Sequence, residues 1–383
     1  MFSHLLPRQL TGFHFNSSVS ILKTKNIIKM STSTSIKSSS RVTKFSQLIE
    51  SSKLPFYSIE IFPPSSKSLN DLKNLLSDLR KYRPLFCAIT SKSTSRTSNT
   101  ESLSRFDLAR LIITNYGFDI LLHVTCSDLM DSDQGRKFLQ EAKNCGIKYI
   151  FALRGDDLDE STEREFNHAI DIVRFIRAEF PNDFVVAVAG YPNGHPSVSS
   201  LAEDVKYLKA KVDAGADLII SQFFFNVDVF AQWVRLCRSA DIKAPILPGI
   251  FTFPSYRSFT RMMKTTQVPI CNQLESKIEN ISNCDQQIKQ FAIEQSTQLC
   301  LNLVNQGLCP GLHFFSLNKD STLQVIEMIE PKIPRTTINQ QLLRLSAQLE
   351  EFTLDSGSET LEKNQPSVKS GDKTPESSNY HQN

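Results

Sequence analysis

The sequence predicts an α/β protein folded as a (β/α)8 TIM barrel, flanked by disordered N- and C-terminal tails. Short apolar runs of strand type alternate with longer amphipathic stretches of helix type, and eight such units follow one another in about 280 residues. Polar side chains recur where the apolar runs end, which is the edge where parallel barrels build their sites. No G-x-G-x-x-G follows any strand, so an open doubly wound sheet is only the second choice.

The first four units are defined by runs of apolar, β-branched and aromatic residues. These runs predict strands at 57–62, 85–90, 119–125 and 149–153. Pro63-Pro64 ends the first strand, and Arg154-Gly155-Asp156 ends the fourth. Helices are predicted at 66–82, 102–115 and 132–145, because leucines recur at helical spacing in the first and Gly146 closes the third.

The second four units repeat the pattern. Strands are predicted at 183–189, 217–221, 245–250 and 310–315. Helices are predicted at 163–179, 199–214, 227–239, 255–266, 285–305 and 320–330. Ala214-Gly215 ends the helix before the sixth strand, as glycine commonly does at a helix C-terminus.

The barrel domain is therefore expected at 45–332, with different material on either side. Residues 1–44 contain basic residues but no Asp or Glu, which predicts a disordered or targeting tail, with a mitochondrial transit peptide as one alternative. Residues 333–355 allow a C-terminal helix at 338–352, and 356–383 have the composition of a disordered tail. No second domain is expected.

Composition excludes several classes of function. The net charge of +3 gives no global reason to expect nucleic acid, and no apolar run approaches the ~18 residues that span a membrane. The eight cysteines are scattered without C-x-x-C spacing, which favours free thiols in a reducing compartment, and no metal-ligand spacing or P-loop is present. A cytoplasmic protein is expected, with mitochondria as the alternative.

Glu60 is the strongest candidate for acid–base chemistry. It lies within an apolar strand, and a poorly solvated carboxyl group has a raised pKa that lets it hold and deliver a proton near neutral pH. The alternative is a carboxylate paired with Lys or Arg. His123 suits a site or a satisfied core position equally, and His313 favours the core. The phenylalanines after Gln222 favour the barrel wall, with stacking on a flat ligand as the alternative.

Eight motifs, in order over about residues 45–330, together resemble the methylenetetrahydrofolate reductase family. They are Ile59-Glu-Ile-Phe-Pro-Pro64, His123-Val-Thr-Cys126, Ala152-Leu-Arg-Gly-Asp156, Ala189-Gly-Tyr-Pro-Asn-Gly-His-Pro196, Lys211-Val-Asp-Ala-Gly-Ala-Asp217, Ser221-Gln-Phe-Phe-Phe225, Pro248-Gly-Ile250 and Leu312-His-Phe-Phe-Ser-Leu-Asn318. Each motif alone is weak, but eight in order at barrel positions are specific.

The resemblance implies FAD-dependent reduction of 5,10-methylenetetrahydrofolate to 5-methyltetrahydrofolate by NADH or NADPH, on a (β/α)8 barrel. It implies that Glu60 is the general acid that helps open the methylene bridge, that Asp156 tunes the flavin and meets the pterin, and that Gln222, Phe315 and Lys319 contact folate. The implied FAD site comprises Thr90, His123, Leu153, Arg154, Gly155, Asp156, Ala189, Tyr191, His195, Asp204 and Lys211. No metal, nucleic acid or membrane partner is implied, and a homo-oligomer stays open.

The sequence departs from the family pattern at five positions. Ser91 and Ser65 replace an aromatic and a basic residue, and Phe315, Ser316 and Lys319 replace Tyr, Thr and Arg in the eighth-strand motif. Lysine cannot make the two-pronged carboxylate contact of arginine. Animal-type members carry a C-terminal regulatory domain, and none is expected here. Two further hypotheses therefore stay open: a barrel flavoprotein with another substrate, such as an imino acid, and a catalytically impaired paralogue that binds or regulates a partner.

Overall fold

Eight parallel strands form a closed barrel, which confirms the predicted fold class. The computed structural model describes residues 49, 53–64, 68–91, 103–155, 163–316, 319–333 and 336–337. The barrel strands are β1 Phe56–Ile61, β2 Phe86–Ile89, β3 Ile120–Thr125, β4 Tyr149–Leu153, β5 Val185–Gly190, β6 Leu218–Phe223, β7 Ile246–Phe251 and β8 Gly311–Phe315. The predicted tails 1–44 and 356–383 and the predicted helix 338–352 lie outside the described residues.

The barrel closes where β1 pairs with both β2 and β8. Ser58 lies opposite Phe86 on one side and His313 on the other. Because side chains alternate along a strand, Ile59 and Ile61 pack outward against the helices, whereas Ser58 and Glu60 point into the barrel. Burial on both faces explains why the strands are almost continuously apolar.

Large side chains from several strands fill the barrel interior below the carboxyl ends. This inner core contains Phe56, Phe86, Leu121, Tyr149, Phe151, Val185, Leu218, Ile220 and Leu247. We call the carboxyl-terminal end of the barrel the rim and the opposite end the base. The filled interior leaves the rim as the place where a ligand can meet side chains from several strands.

Ten helices lie within the described residues and follow the strands in order. They are α1 Leu69–Leu79, α2 Arg105–Tyr116, α3 Ser132–Asn144, α4 Ala169–Glu179, α5 Leu201–Asp213, α6 Val227–Ser239, α7 Tyr256–Thr266, α8 Asn272–Asn280, α9 Asp285–Asn305 and α10 Lys319–Ile329. None of these helices is long and apolar enough to cross a membrane.

Apart from small shifts at the ends of strands, four features of the fold differ from the sequence prediction. Helix α4 begins at Ala169 rather than 163, because the Asp171 carboxylate accepts hydrogen bonds from the backbone N–H groups of Asn167 and His168 and caps the helix there. Helix α1 ends at Leu79, shortly before Arg83 adopts a left-handed conformation with φ 46°. Helix α8 is absent from the prediction, since it buries only Leu274 and Ile278.

The fourth difference is a minor sheet outside the barrel. Lys53–Leu54 pairs antiparallel with Thr336–Thr337, and neither strand was predicted. Two-residue strands carry too little pattern to be recognised.

An aromatic cluster covers one side of the rim. Phe223 at the end of β6 and Phe251 at the end of β7 pack with Phe253 and with Phe259 of α7. Helices α8 and α9 complete the cluster through Ile278 and Ile288, among others. The segment 251–292 therefore forms a wall beside the strand ends.

Candidate active site

A buried acid and a buried imidazole meet at the rim. Glu60 near the end of β1 is only 7% exposed, and its Oε2 lies 3.6 Å from Nε2 of His123 on β3. This distance is a contact rather than a hydrogen bond, and His123 Nε2 has no hydrogen-bond partner among the described residues. Small movements would therefore bring the two groups into a hydrogen bond.

Burial keeps both groups in their neutral forms. It raises the pKa of Glu60 from 4.5 to about 8. It also lowers the pKa of His123 to about 3, with smaller contributions from His313 and the Arg105 charge. The contact at neutral pH therefore joins a protonated carboxyl group to a neutral imidazole. A protonated carboxyl group held at pH 7 is what general acid catalysis requires.

A second polar pair lies deeper in the barrel, at Ser58, two residues before Glu60 on β1. The hydroxyl of Ser58 is 2.9 Å from Nδ1 of His313, and both side chains are fully buried. Burial lowers the pKa of His313 to about 3, so this imidazole is also neutral. Neither Ser58 nor the neutral His313 below Glu60 carries a positive charge that would stabilise the carboxylate, which is consistent with the raised pKa of that acid.

The end of β4 forms an open turn of backbone. Gly155 has φ 91°, and a Cβ added there would lie 3.2 Å from Cβ of Thr125. Leu153 is half-buried and Arg154 is exposed, whereas Asp156 lies outside the described residues. Two strands away, just after β2, the hydroxyl of Thr90 is buried without a hydrogen-bond partner among the described residues. The Thr90 hydroxyl therefore leaves unfilled hydrogen-bonding capacity at the rim.

A lysine and an aspartate of opposite charge, Lys211 and Asp204, influence each other beside the end of β5. Nζ of Lys211 donates to the carbonyl of Ala189 over 2.7 Å. Burial lowers the pKa of Lys211 to about 8, an effect that Asp204 opposes. Burial raises the pKa of Asp204 to about 6, an effect that Lys211 and the backbone N–H of His195 oppose. Oδ2 of Asp204 has no hydrogen-bond partner among the described residues, so this carboxylate also retains capacity for a ligand.

A cleft of about 280 Å³ opens at the loop after β5. It is lined by the loop after β5, which includes Tyr191 and His195, by Gln222, and by residues 266–269 after α7. The rings of Tyr191 and His195 meet edge to face at 4.7 Å. The structure thus brings together the predicted site residues Tyr191, His195 and Gln222, which are up to 31 positions apart in the sequence.

A β-bulge places Gln222 in the cleft. The pairing of β6 with β7 shifts between Ile220 and Phe223, and Gln222 oxygen Oε1 accepts the N–H of Phe223 over 3.0 Å. The predicted strand ended at 221, but β6 runs to Phe223 through this bulge. Bulges commonly re-aim a side chain beside a site. The amide nitrogen of Gln222 is then left to serve a ligand.

Phe315 closes the rim at the end of β8. Its ring lies so near Gly249 of β7 that an added Cβ would come within 2.4 Å of the ring. It also packs 6.4 Å from the ring centroid of Phe223. Lys319 begins α10, but its side chain lies outside the described residues.

Two residues at the rim were not predicted from the sequence. Arg105 at the start of α2 and Asp128 after β3 form an ion pair with an N–O distance of 2.5 Å. The only available signals were an acidic residue in the turn after a strand and a basic residue at a helix start, and neither is specific. Their partners became evident only from the fold.

Fold and site together define a (β/α)8 barrel protein with a protonated acid at its rim. The family model described as methylenetetrahydrofolate reductase matches residues 44–330. The chain belongs to the methylenetetrahydrofolate reductase family.

Relatives agree with this assignment. The chain is 34% identical to the probable methylenetetrahydrofolate reductase (NADPH) of Caenorhabditis elegans, over 72% of this chain but only 42% of the relative. It is 28% identical to the 5,10-methylenetetrahydrofolate reductase of Pectobacterium carotovorum, over 68% of this chain and 85% of the relative. The chain thus spans less than half of the nematode protein but corresponds to most of the bacterial one.

A solved structure supports the fold alone. An uncharacterized protein from Clostridium thermocellum, described as binding two copies of 5-methyl-5,6,7,8-tetrahydrofolic acid, aligns with a TM-score of 0.53 at 14% identity. The alignment covers 75% of this chain and 98% of that protein.

Proposed function

We propose that this chain is a flavin-dependent reductase that converts 5,10-methylenetetrahydrofolate to 5-methyltetrahydrofolate with electrons from NADH or NADPH. The observation that carries the proposal is Glu60, a buried acid at the rim whose pKa is about 8. Membership of the family supports the folate substrate, and the resemblance of the motifs implies FAD as the cofactor. Among the described residues, no other carboxyl group has its pKa raised as far.

The rim residues fit a flavin. The hydroxyl of Thr90 and Oδ2 of Asp204 are buried and without partners among the described residues, and Gly155 provides backbone that a flat ring can approach. Lys211 supplies a cation next to the end of β5, suited to a phosphate-bearing cofactor. When bound, the flavin supplies the hydride-transfer chemistry, and the protein supplies binding and orientation.

The cofactor role extends over the whole predicted set. Leu153, Arg154 and Gly155 would lie against the ring, while Ala189, Tyr191 and His195 would continue the site towards Asp204 and Lys211. In the same proposal Asp156, which lies outside the described residues, tunes the flavin, and Gln222 donates its amide to folate.

Glu60 would donate its proton to the nitrogen that leaves the methylene bridge. Opening the bridge breaks a carbon–nitrogen bond, and the departing amine needs a proton to be a good leaving group. The proton moves from the carboxyl oxygen to that nitrogen, and the carbon becomes an iminium centre able to accept a hydride. Glu60 is then a carboxylate beside His123, whose Nε2, 3.6 Å from Oε2, can donate a hydrogen bond to it in the Nε2–H tautomer.

The test separates this proposal from its alternatives. Purified protein loaded with FAD should be yellow, should bleach anaerobically with NADH or NADPH, and should regain its colour with methylenetetrahydrofolate. Bleaching without recovery by folate would support a barrel flavoprotein with another substrate. A protein that binds no flavin would support the impaired paralogue, for which the replacement of Tyr by Phe315 is the specific motivation.

A further inference from the structure

The ion pair between Arg105 and Asp128 lies at the rim, beside the end of β3. Nη1 of Arg105 donates to the carbonyl of His123 over 2.9 Å and to Oδ2 of Asp128 over 3.2 Å, and Nη2 donates to Oδ1 of Asp128 over 2.5 Å. The side chains are only 19% and 14% exposed. A two-pronged, partly buried pair of this kind has a well-defined geometry.

Asp128 extends the contact to the end of β3. Its Oδ2 accepts hydrogen bonds from both the backbone N–H and the hydroxyl of Thr125, each over 2.9 Å. The carboxylate therefore satisfies the backbone N–H and the hydroxyl of Thr125, the last residue of β3. Arg105 and Asp128 together fix the backbone of β3 at His123 and at Thr125.

The end of β3 in turn supports the turn after β4. Thr125 packs against Gly155, where an added Cβ would lie 3.2 Å from the threonine Cβ. The N–H of Cys126 donates to the carbonyl of Arg154 over 3.2 Å, and its thiol donates to that of Leu153 over 3.7 Å. The turn at residues 153–155 therefore rests on a backbone segment that Asp128 holds in place.

A second ion pair of the same design lies at the base of the barrel. Arg177 pairs with Asp217, with side chains 18% and 11% exposed, and donates to the carbonyls of Gly215 and Phe184. Asp217 accepts the backbone N–H of Val186 over 2.8 Å. Both pairs thus tie a helix to neighbouring strands through backbone groups, but only the Arg105–Asp128 pair lies at the rim.

We propose that Arg105 and Asp128 are positioning residues for the flavin, because they fix the β3 end on which the turn at 153–155 rests. Neither residue touches the reacting atoms. The inference depends on the proposed flavin-dependent function. It assigns a binding role to two residues that lie beside, rather than in, the cofactor site.

The experiment compares Asp128→Asn with Asp217→Asn in the full chain. Each substitution removes one charge from an equivalent ion pair and leaves the side-chain shape nearly unchanged. The dissociation constant of FAD is measured by quenching of flavin fluorescence on titration with flavin-free protein, and unfolding of the flavin-free protein is followed by circular dichroism. We expect comparable losses of stability, but an increase in the FAD dissociation constant of tenfold or more for Asp128→Asn alone.

The outcomes distinguish the positioning role of Arg105 and Asp128 from the proposal that the protein binds flavin at all. Wild-type affinity in Asp128→Asn, or an equal loss in Asp217→Asn, would overturn the positioning role while leaving the flavin proposal intact. Failure of the wild-type protein to bind FAD would overturn both. If Asp128→Asn does not fold, Arg105→Lys replaces it, since lysine keeps the charge but loses the two-pronged contact. This milder variant should still weaken FAD binding, and unchanged affinity would again contradict the inference.

Discussion

Replacing Glu60 by Gln should stabilise the folded protein in a way that depends on pH. The folded-state pKa of this carboxyl group is raised from 4.5 to about 8 by burial. Below pH 4.5 both the folded and the unfolded chain hold the proton, so the acid costs nothing. As the pH rises, the unfolded chain ionises and the folded chain does not, so stability is lost until the folded pKa is reached.

The size of the effect follows from the two pKa values. Each pH unit between them costs about 1.4 kcal/mol, which gives about 3 kcal/mol at pH 7 and a limit of about 5 kcal/mol above pH 8. Glutamine never ionises and avoids this cost. We therefore expect the stability advantage of Glu60→Gln over wild type to grow by about 4 kcal/mol between pH 5 and pH 8.5.

Urea unfolding of flavin-free protein, followed by circular dichroism at several pH values, measures this difference. Flavin is omitted because a ligand that binds only the folded state would add its own pH dependence. The buried imidazoles of His123 and His313 titrate in both proteins, so their contributions cancel to first order. The matched control is Glu275→Gln, which changes an exposed glutamate on α8. A stability difference between Glu60→Gln and wild type that stays constant with pH would refute the assignment of a raised pKa to Glu60.

Three further predictions concern the rim. Folate-dependent reoxidation of the reduced protein should fall on the alkaline side with a midpoint near pH 8, where Glu60 loses its proton, and a stopped-flow pH series that shows no such limb would contradict the assignment. Gly155→Ala should weaken FAD binding about tenfold, because its φ of 91° disfavours a side chain; Gly117→Ala, with φ 72° and nothing within 4 Å, is the control whose FAD affinity should not change. Lys211→Met should lower FAD affinity, and by more at low salt than at high salt, because it removes a partly buried cation; a loss of affinity that is equal at low and high salt would argue against a phosphate contact.

The barrel architecture was predictable because it depends on the alternation of apolar runs and polar turns along the chain. All eight barrel strands were found within a few residues, since strands buried on both faces give apolar runs that polar turns interrupt. Helix α8 was missed because two buried residues in nine leave too little periodicity. The start of α4 was misplaced because its capping contact, from Asp171 to the preceding backbone, competes with the apparent helical pattern upstream.

The raised pKa of Glu60 was predicted, but the structure gives it a different origin. The sequence argument relied on Ile59 and Ile61 as neighbours, and these side chains point outward to the helices. The desolvation instead comes from the barrel interior, where Glu60 lies opposite Ala88 and next to His123. Adjacent residues in a strand face opposite sides, so the sequence neighbours of a buried acid are not its spatial neighbours.

Contacts between segments that are far apart in the chain could not be predicted from the sequence. Arg105 and Asp128 are 23 positions apart, and residues 266–269 reach the cleft from a different unit than Gln222. Such contacts depend on helix and strand placement rather than on any local pattern.

The most direct test of the central claim is the effect of Glu60→Gln on the two half-reactions, measured separately by anaerobic stopped-flow spectroscopy. Reduction of the flavin by NADH or NADPH requires no proton from this residue, so its rate should stay close to that of wild type and of the Glu275→Gln control. Oxidation of the reduced flavin by methylenetetrahydrofolate should be abolished, because the departing nitrogen has lost its proton donor. Equal losses in both half-reactions, or folate reduction at the wild-type rate, would contradict the role of Glu60 as the general acid.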